Sequence, residues 1–261
     1  LSKSIFDNLN TIIDINISTI YLDPKNFVNN FSGNIIYKKN KIYKSDLVST
    51  FPNNKKLNLT INTNENNEKI TTIYSENPKP LLSSYKFIKG FEEGILDFYS
   101  VKRNNVSESV LKISDFKIQE VPVLAKLLTL ASLQGIADLL TGEGIRFDDF
   151  ELKFTSKDKL MRIDELYAIG PAISIMMEGY IEKNNLISLK GTLVPATTIN
   201  RTIASIPLLG NILVGKKVGE GVFGVSFKIK GPKDKLKTTV NPIKTLTPRF
   251  ITRTLEKLKK N

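Results

Sequence analysis

The sequence predicts a mainly β protein with a few helices, built as an antiparallel curved sheet capped by amphipathic helices. Three observations carry this expectation. Apolar and polar residues alternate in short segments along most of the chain, brief polar turns separate those segments, and one long apolar run near the middle breaks the two-residue period.

Residues 1–117 read as short strands. Ile13, Ile15 and Ile17 alternate with Asp14, Asn16 and Ser18, and Leu57, Leu59 and Ile61 with Asn58, Thr60 and Asn62, so one face is apolar. The segment Tyr37 to Tyr43 has the composition of a hairpin tip, Asn62 to Lys69 is a polar turn, and Pro78 and Pro80 punctuate the path before Leu81. From Val121 to Leu140 the apolar run predicts one helix, with Pro122 in its first turn and Gly142 as its stop. Leucines cover most of its circumference, so it needs burial on more than one side or a lipid surface. Lys126, Gln134 and Asp138 interrupt the run below the length of a membrane span, and a buried structural helix is the expectation.

Strands resume with cleaner alternation at Leu152 and Phe154; Met161 and Ile163; Ile173, Ile175, Met177 and Ile181; Ile187, Leu189 and Leu193; and Phe223, Val225, Phe227 and Ile229. Glu151, Lys153, Arg162, Asp164, Ser174, Glu178, Ser188, Lys190, Lys228 and Lys230 fall on the opposite face, and connections such as Lys183 to Asn185 suit a meander of hairpins. A short helix is expected between Thr197 and Leu213, and another from Pro248 to Lys260.

The chain has 261 residues, 41% of them hydrophobic, enough for one large core or two modest ones. His and Cys are both absent, which removes disulfides, thiol nucleophiles, Ser-His-Asp systems, imidazole bases and the usual zinc ligands. Only carboxylate or lysine chemistry remains, and no pair of acids stands apart in a loop, so neither an enzyme nor a cofactor is expected. The chain starts at Leu1 and shows no basic segment leading into an apolar one, so it is expected to be an internal or C-terminal part of a longer protein.

The net charge is +12. Residues 228–261 alone hold eleven Lys and Arg against Asp234 and Glu256, so the basic character belongs to the tail. Lys, Asn and Ile richness is also what AT-rich codon usage produces. Gly219 to Gly224 fits a G-x-G-x-x-G pattern, but the residues from 222 onward alternate as a strand where a dinucleotide site needs a helix. Gly210 to Lys216 has P-loop spacing with Lys217 where Ser or Thr must hold magnesium. Neither specifies a nucleotide.

Several blocks occur together in order: Val121-Pro-Val-Leu-Ala-Lys-Leu-Leu, Ala131-Ser-Leu-Gln-Gly135, Gly142-Glu-Gly-Ile-Arg-Phe147, Gly170-Pro-Ala172, Gly191-Thr-Leu-Val-Pro195 with Asn200, Ile206-Pro-Leu-Leu-Gly210, Gly219-Glu-Gly221, Val240-Asn-Pro242 and Leu246-Thr-Pro248. Over about 140 residues they resemble the C-terminal region of AsmA-like proteins of the YhdP type from Gram-negative envelopes. Arg249 departs from the pattern, standing where Gly is usual, as does the strongly basic final helix.

The resemblance implies the end of a repeating β-groove, with residues 1–120 as a repeating antiparallel segment and 121–261 as the C-terminal module. It implies a periplasmic protein, anchored to the inner membrane by an upstream segment, that moves phospholipid between membranes without covalent chemistry. The expected partners are phospholipid, an anionic membrane surface and an envelope protein; nucleic acid is not expected, since the tail has Phe250 alone for base stacking. The alternative is a structural or partner-binding cap on a longer groove.

Lipid-contacting candidates are Leu152, Phe154, Ile173, Ile175, Met177, Ile187, Leu189, Phe223, Val225 and Phe227, each of which also reads as ordinary core. On the last helix Phe250, Ile251, Leu255 and Leu258 share one side and Arg253, Lys257 and Lys260 lie on the other, a pattern for a membrane interface or for packing on the sheet.

Overall fold

The computed structural model describes residues 10–38, 41–82, 90–182, 186–195, 224–232 and 235–243. The strands are β1 (Thr11–Tyr21), β2 (Phe27–Lys38), β3 (Lys41–Thr50), β4 (Lys56–Thr63), β5 (Lys69–Ser75), β6 (Gly90–Arg103), β7 (Val106–Gln119), β8 (Ile145–Lys157), β9 (Leu160–Ile169), β10 (Ile173–Glu182), β11 (Leu186–Pro195), β12 (Gly224–Pro232) and β13 (Lys237–Ile243). The helices are α1 (Lys79–Leu82), α2 (Pro122–Leu130) and α3 (Gln134–Thr141).

Among the described residues the strands form one antiparallel sheet of 13 in the order of the sequence, open at β1 and β13. The expected mainly β class is thus observed, and so is the meander. The sheet runs through position 120 without interruption, because β7 pairs directly with β8 across the helical connection, from Ile118 opposite Ile145 to Val106 opposite Lys157.

Turn chemistry sets the hairpins. The β3–β4, β4–β5, β6–β7 and β8–β9 turns each place one residue at positive φ, Asn54, Asn67, Asn104 and Asp158, the two residue types that tolerate it best after glycine. In the polar turn after β4, Asn64 Oδ1 accepts the N–H groups of Asn66 and Glu68, at 3.0 and 2.9 Å. Register shifts interrupt the β2–β3, β8–β9 and β9–β10 ladders, and such irregularities bend strands and help the sheet curve. Gly33 sits at φ 139° where a Cβ would stand 1.9 Å from the Asp46 carbonyl oxygen, so only glycine lets β2 and β3 approach there.

The single helix expected over Val121–Leu140 is instead a pair. Leu133 N–H bonds Leu128 C=O at 2.9 Å and Ser132 N–H bonds Thr129 C=O at 3.0 Å, with Ser132 at φ 58°. This is a Schellman ending, closed by a serine in the left-handed conformation. The physical reason lies in the leucines. A straight helix would point them in all directions, whereas the break lets Leu124, Leu127 and Leu128 of α2 and Ala137 and Leu140 of α3 all enter one buried cluster. Pro122 does occupy the first turn, and α3 stops before Gly142. The helices expected over 197–213 and 248–260 lie outside the described residues.

The cluster also takes in Phe91, Phe116 and Phe147, stacked at centroid distances of 5.3 and 5.5 Å, and Ile173, Leu193, Val225, Phe227 and Ile229. α3 packs on β7 and β8 and α2 beside β13, so the pair bridges the apolar face of the later strands.

Candidate functional site

In an antiparallel sheet, residues directly opposite one another point to the same face. From β1 to β13 the register therefore defines a single row: Ile15, Gly33, Leu47, Leu59, Ile73, Phe98, Leu111, Leu152, Leu166, Met177, Gly191, Phe227 and Val240. Every member is apolar or glycine. The neighbouring row on the other face runs Asn16, Ser32, Val48, Asn58, Tyr74, Asp97, Lys112, Glu151, Tyr167, Met176, Thr192, Ser226 and Asn241, predominantly polar. The sheet is two-sided across its whole width.

Its apolar side is not covered uniformly. The buried cluster that includes the helices reaches Ile73 on β5 and stops there. Beyond it, Ile13 and Ile17 are each 43% exposed, and Ile15, Phe31, Ile35, Leu57, Leu59 and Ile61 are half-buried. Leu47, at 9% exposure, forms the closed floor of this stretch. Ser45 lies on the same face between Ile35 and Ile61, and its buried hydroxyl has no hydrogen-bond partner among the described residues. Among the described residues the apolar face thus comprises a part of β6–β13 filled by the helix pair and a trough over β1–β5 that lies outside this cluster and closes at one end on the buried Val28 and Phe51.

The sequence-derived candidates can be placed on this surface. Leu152, Phe154, Ile173, Ile175, Met177, Ile187, Leu189, Val225 and Phe227 share the apolar face, as their alternation requires. Ile173, Val225 and Phe227, at 0%, 6% and 2% exposure, belong to the buried cluster, and Ile175, Met177 and Leu189 pack against it. Those six serve the filled part, whereas Leu152, Phe154 and Ile187 are half-buried and stand outside the cluster. Phe223 and the tail residues Phe250, Ile251, Arg253, Leu255, Lys257, Leu258 and Lys260 lie outside the described residues. The trough residues of β1–β5 were visible in the sequence as alternating strands, but nothing local marks them as the uncovered part.

The trough's margins are held by polar contacts. Beside β4, Glu76 accepts the Lys56 N–H at 2.7 Å and the Tyr74 hydroxyl at 3.0 Å, and these two bonds lower its carboxyl below the ordinary range. At the opposite end, the Arg103 guanidinium, followed by the Asn64 amide, lowers Glu68 in the same way. Among the described residues no group of three or more His, Cys, Asp or Glu could hold a metal, and no helix is long and apolar enough to cross a membrane.

Compared with protein-family models, curated proteins and solved structures, the chain matches none, and the AsmA-like resemblance rests on the sequence blocks alone.

Proposed function

We propose that this chain is a non-enzymatic lipid-handling protein of the AsmA-like type, in which the apolar trough of β1–β5 holds phospholipid acyl chains while headgroups stay in water at the strand ends. The observation that supports it is the apolar row crossing every strand, which among the described residues continues past the helix-filled cluster where that cluster ends at Ile73. A broad apolar surface in water stabilises whatever apolar partner covers it, at about 25 cal/mol per Å². A periplasmic location and an upstream membrane anchor belong to the same proposal.

The test is native mass spectrometry and lipid extraction of protein purified in mild detergent. Co-purified phospholipid that is lost in Ile13→Ser/Leu59→Ser protein of unchanged melting temperature supports the reading. Absence of any bound lipid in the parent protein refutes it.

A second reading is favoured by the helix pair. α2 and α3 fill the face from β7 to β13, as a plug at the end of a groove would. If the chain is such a cap, crosslinkers on β12 and β13 recover a single protein partner, whereas lipid handling places lipid adducts along β1–β5.

A further inference from the structure

On the polar face several charged residues of β7–β11 meet an opposite charge. Lys112 and Lys153 approach Glu151 at 3.6 and 2.9 Å, Arg162 lies 2.7 Å from Asp164, and Lys190 lies 3.0 Å from Glu178. The last strands break this rule. The described residues of β12, β13 and their connection carry Lys228, Lys230, Lys235 and Lys237, all exposed, and the one acid of this stretch, Asp234, lies outside the described residues. Register sets like charges directly opposite one another, Lys190 against Lys228 and Lys230 against Lys237.

Opposed like charges destabilise a sheet, and Lys190 against Lys228 is offset by Glu178 beside Lys190, whereas Lys230 against Lys237 has no ion pair among the described residues, so an anion lying over that pair would stabilise it. Protection of an exposed edge from strand pairing accounts for a lysine on β13, which is the edge. It does not account for Lys228 and Lys230 on β12, which is paired on both sides.

We infer that the polar face of β11–β13 is a docking surface for an anionic phospholipid bilayer, with Lys228, Lys230 and Lys237 as its central contacts. Successive lysines on one face of β12 stand about 6.7 Å apart and the cross-strand pair about 5 Å apart, a flat grid on the scale of neighbouring headgroup phosphates. Bilayer is favoured over nucleic acid because the polar positions here are Ser188, Thr192, Ser226, Thr239 and Asn241, and the one aromatic of the bordering row, Tyr180 opposite Ser188, is half-buried and does not make the series of stacking platforms that bases need. This surface lies on the opposite side of the sheet from the trough and does not depend on the trough's holding lipid.

The test is flotation of the full chain with phosphatidylcholine vesicles containing phosphatidylglycerol, and with phosphatidylcholine alone. The parent protein should bind only the anionic vesicles, with affinity falling as salt rises. The variant Lys228→Gln/Lys230→Gln/Lys237→Gln should partition ~100-fold more weakly at unchanged melting temperature, each lysine contributing about a factor of five. Should the triple variant fold poorly, Lys228→Gln and Lys230→Gln made singly should each show the fivefold loss. The control Lys25→Gln/Lys55→Gln/Lys56→Gln, in two turns and the first residue of β4 at the other end of the strands, should bind as the parent does. Equal binding by parent and triple variant, an equal loss in the control, or tighter retention of DNA than of anionic vesicles would overturn the inference.

Discussion

Replacing Val225 with aspartate tests whether the sheet over β12 is closed core. Val225 is 6% exposed and stands between Leu193, which is fully enclosed, and Pro242 in the cross-strand row. Removing its buried isopropyl group forfeits about 1.5–3 kcal/mol. The incoming carboxylate meets no cation in that row, so it adds several kcal/mol more, moderated because the group can take up a proton instead. The expected loss is ~4–6 kcal/mol at pH 7, a large part of the ~5–15 kcal/mol that holds a typical domain together. Ile13→Asp is the companion. At 43% exposure the new carboxylate reaches water, and the expected loss is about 1 kcal/mol.

Urea unfolding followed by circular dichroism measures both, compared as midpoints at constant m. The sign of the pH dependence adds a check. Burial raises the introduced carboxyl above its unfolded value near 4, so the Val225→Asp penalty should shrink as pH falls from 7 toward 4. A Val225→Asp protein within about 1 kcal/mol of the parent would refute the closed core. An Ile13→Asp protein that loses as much as Val225→Asp would refute the open trough.

Ser132→Gly should stabilise the protein by about 1 kcal/mol, since serine at φ 58° carries a steric cost that glycine avoids; a raised thermal midpoint checks this, and a lowered one contradicts the Schellman ending. Glu76→Gln should destabilise at pH 7 and become neutral at low pH. The lowered carboxyl of Glu76 contributes stability that is present above its unfolded value near 4.5 and disappears as pH falls through the folded value. Denaturation of parent and variant at pH 7 and pH 3 should therefore differ only at the higher pH.

Much of the strand structure was legible because a meander is a local object. The two-residue period of Ile13, Ile15 and Ile17 or of Ile173, Ile175 and Met177 fixes which side chains share a face. The polar turn at Asn62–Lys69 and the stop at Gly142 fix where the chain reverses or a helix ends. Pairing each strand with its sequence neighbour needs no further information, so the antiparallel sheet follows from the sequence alone.

Three features required the tertiary structure. The helix pair divides at Ser132 so that Leu124, Leu127, Leu128, Ala137 and Leu140 share one cluster while Leu130 and Leu139 stay exposed, a demand that no helical periodicity contains. Ile13 and Val225 have the same alternation, yet one is exposed and the other enclosed, since coverage depends on where α2 and α3 fold back over β7, β8 and β13. The facing lysines are far apart in places along the chain, as Lys190 and Lys228 are, and only the register makes them neighbours. The sequence alone determined the strands and their two faces, because alternation acts over a few residues. The tertiary structure decided which part of the apolar face is filled and which charges meet, because those depend on segments brought together from distant parts of the chain.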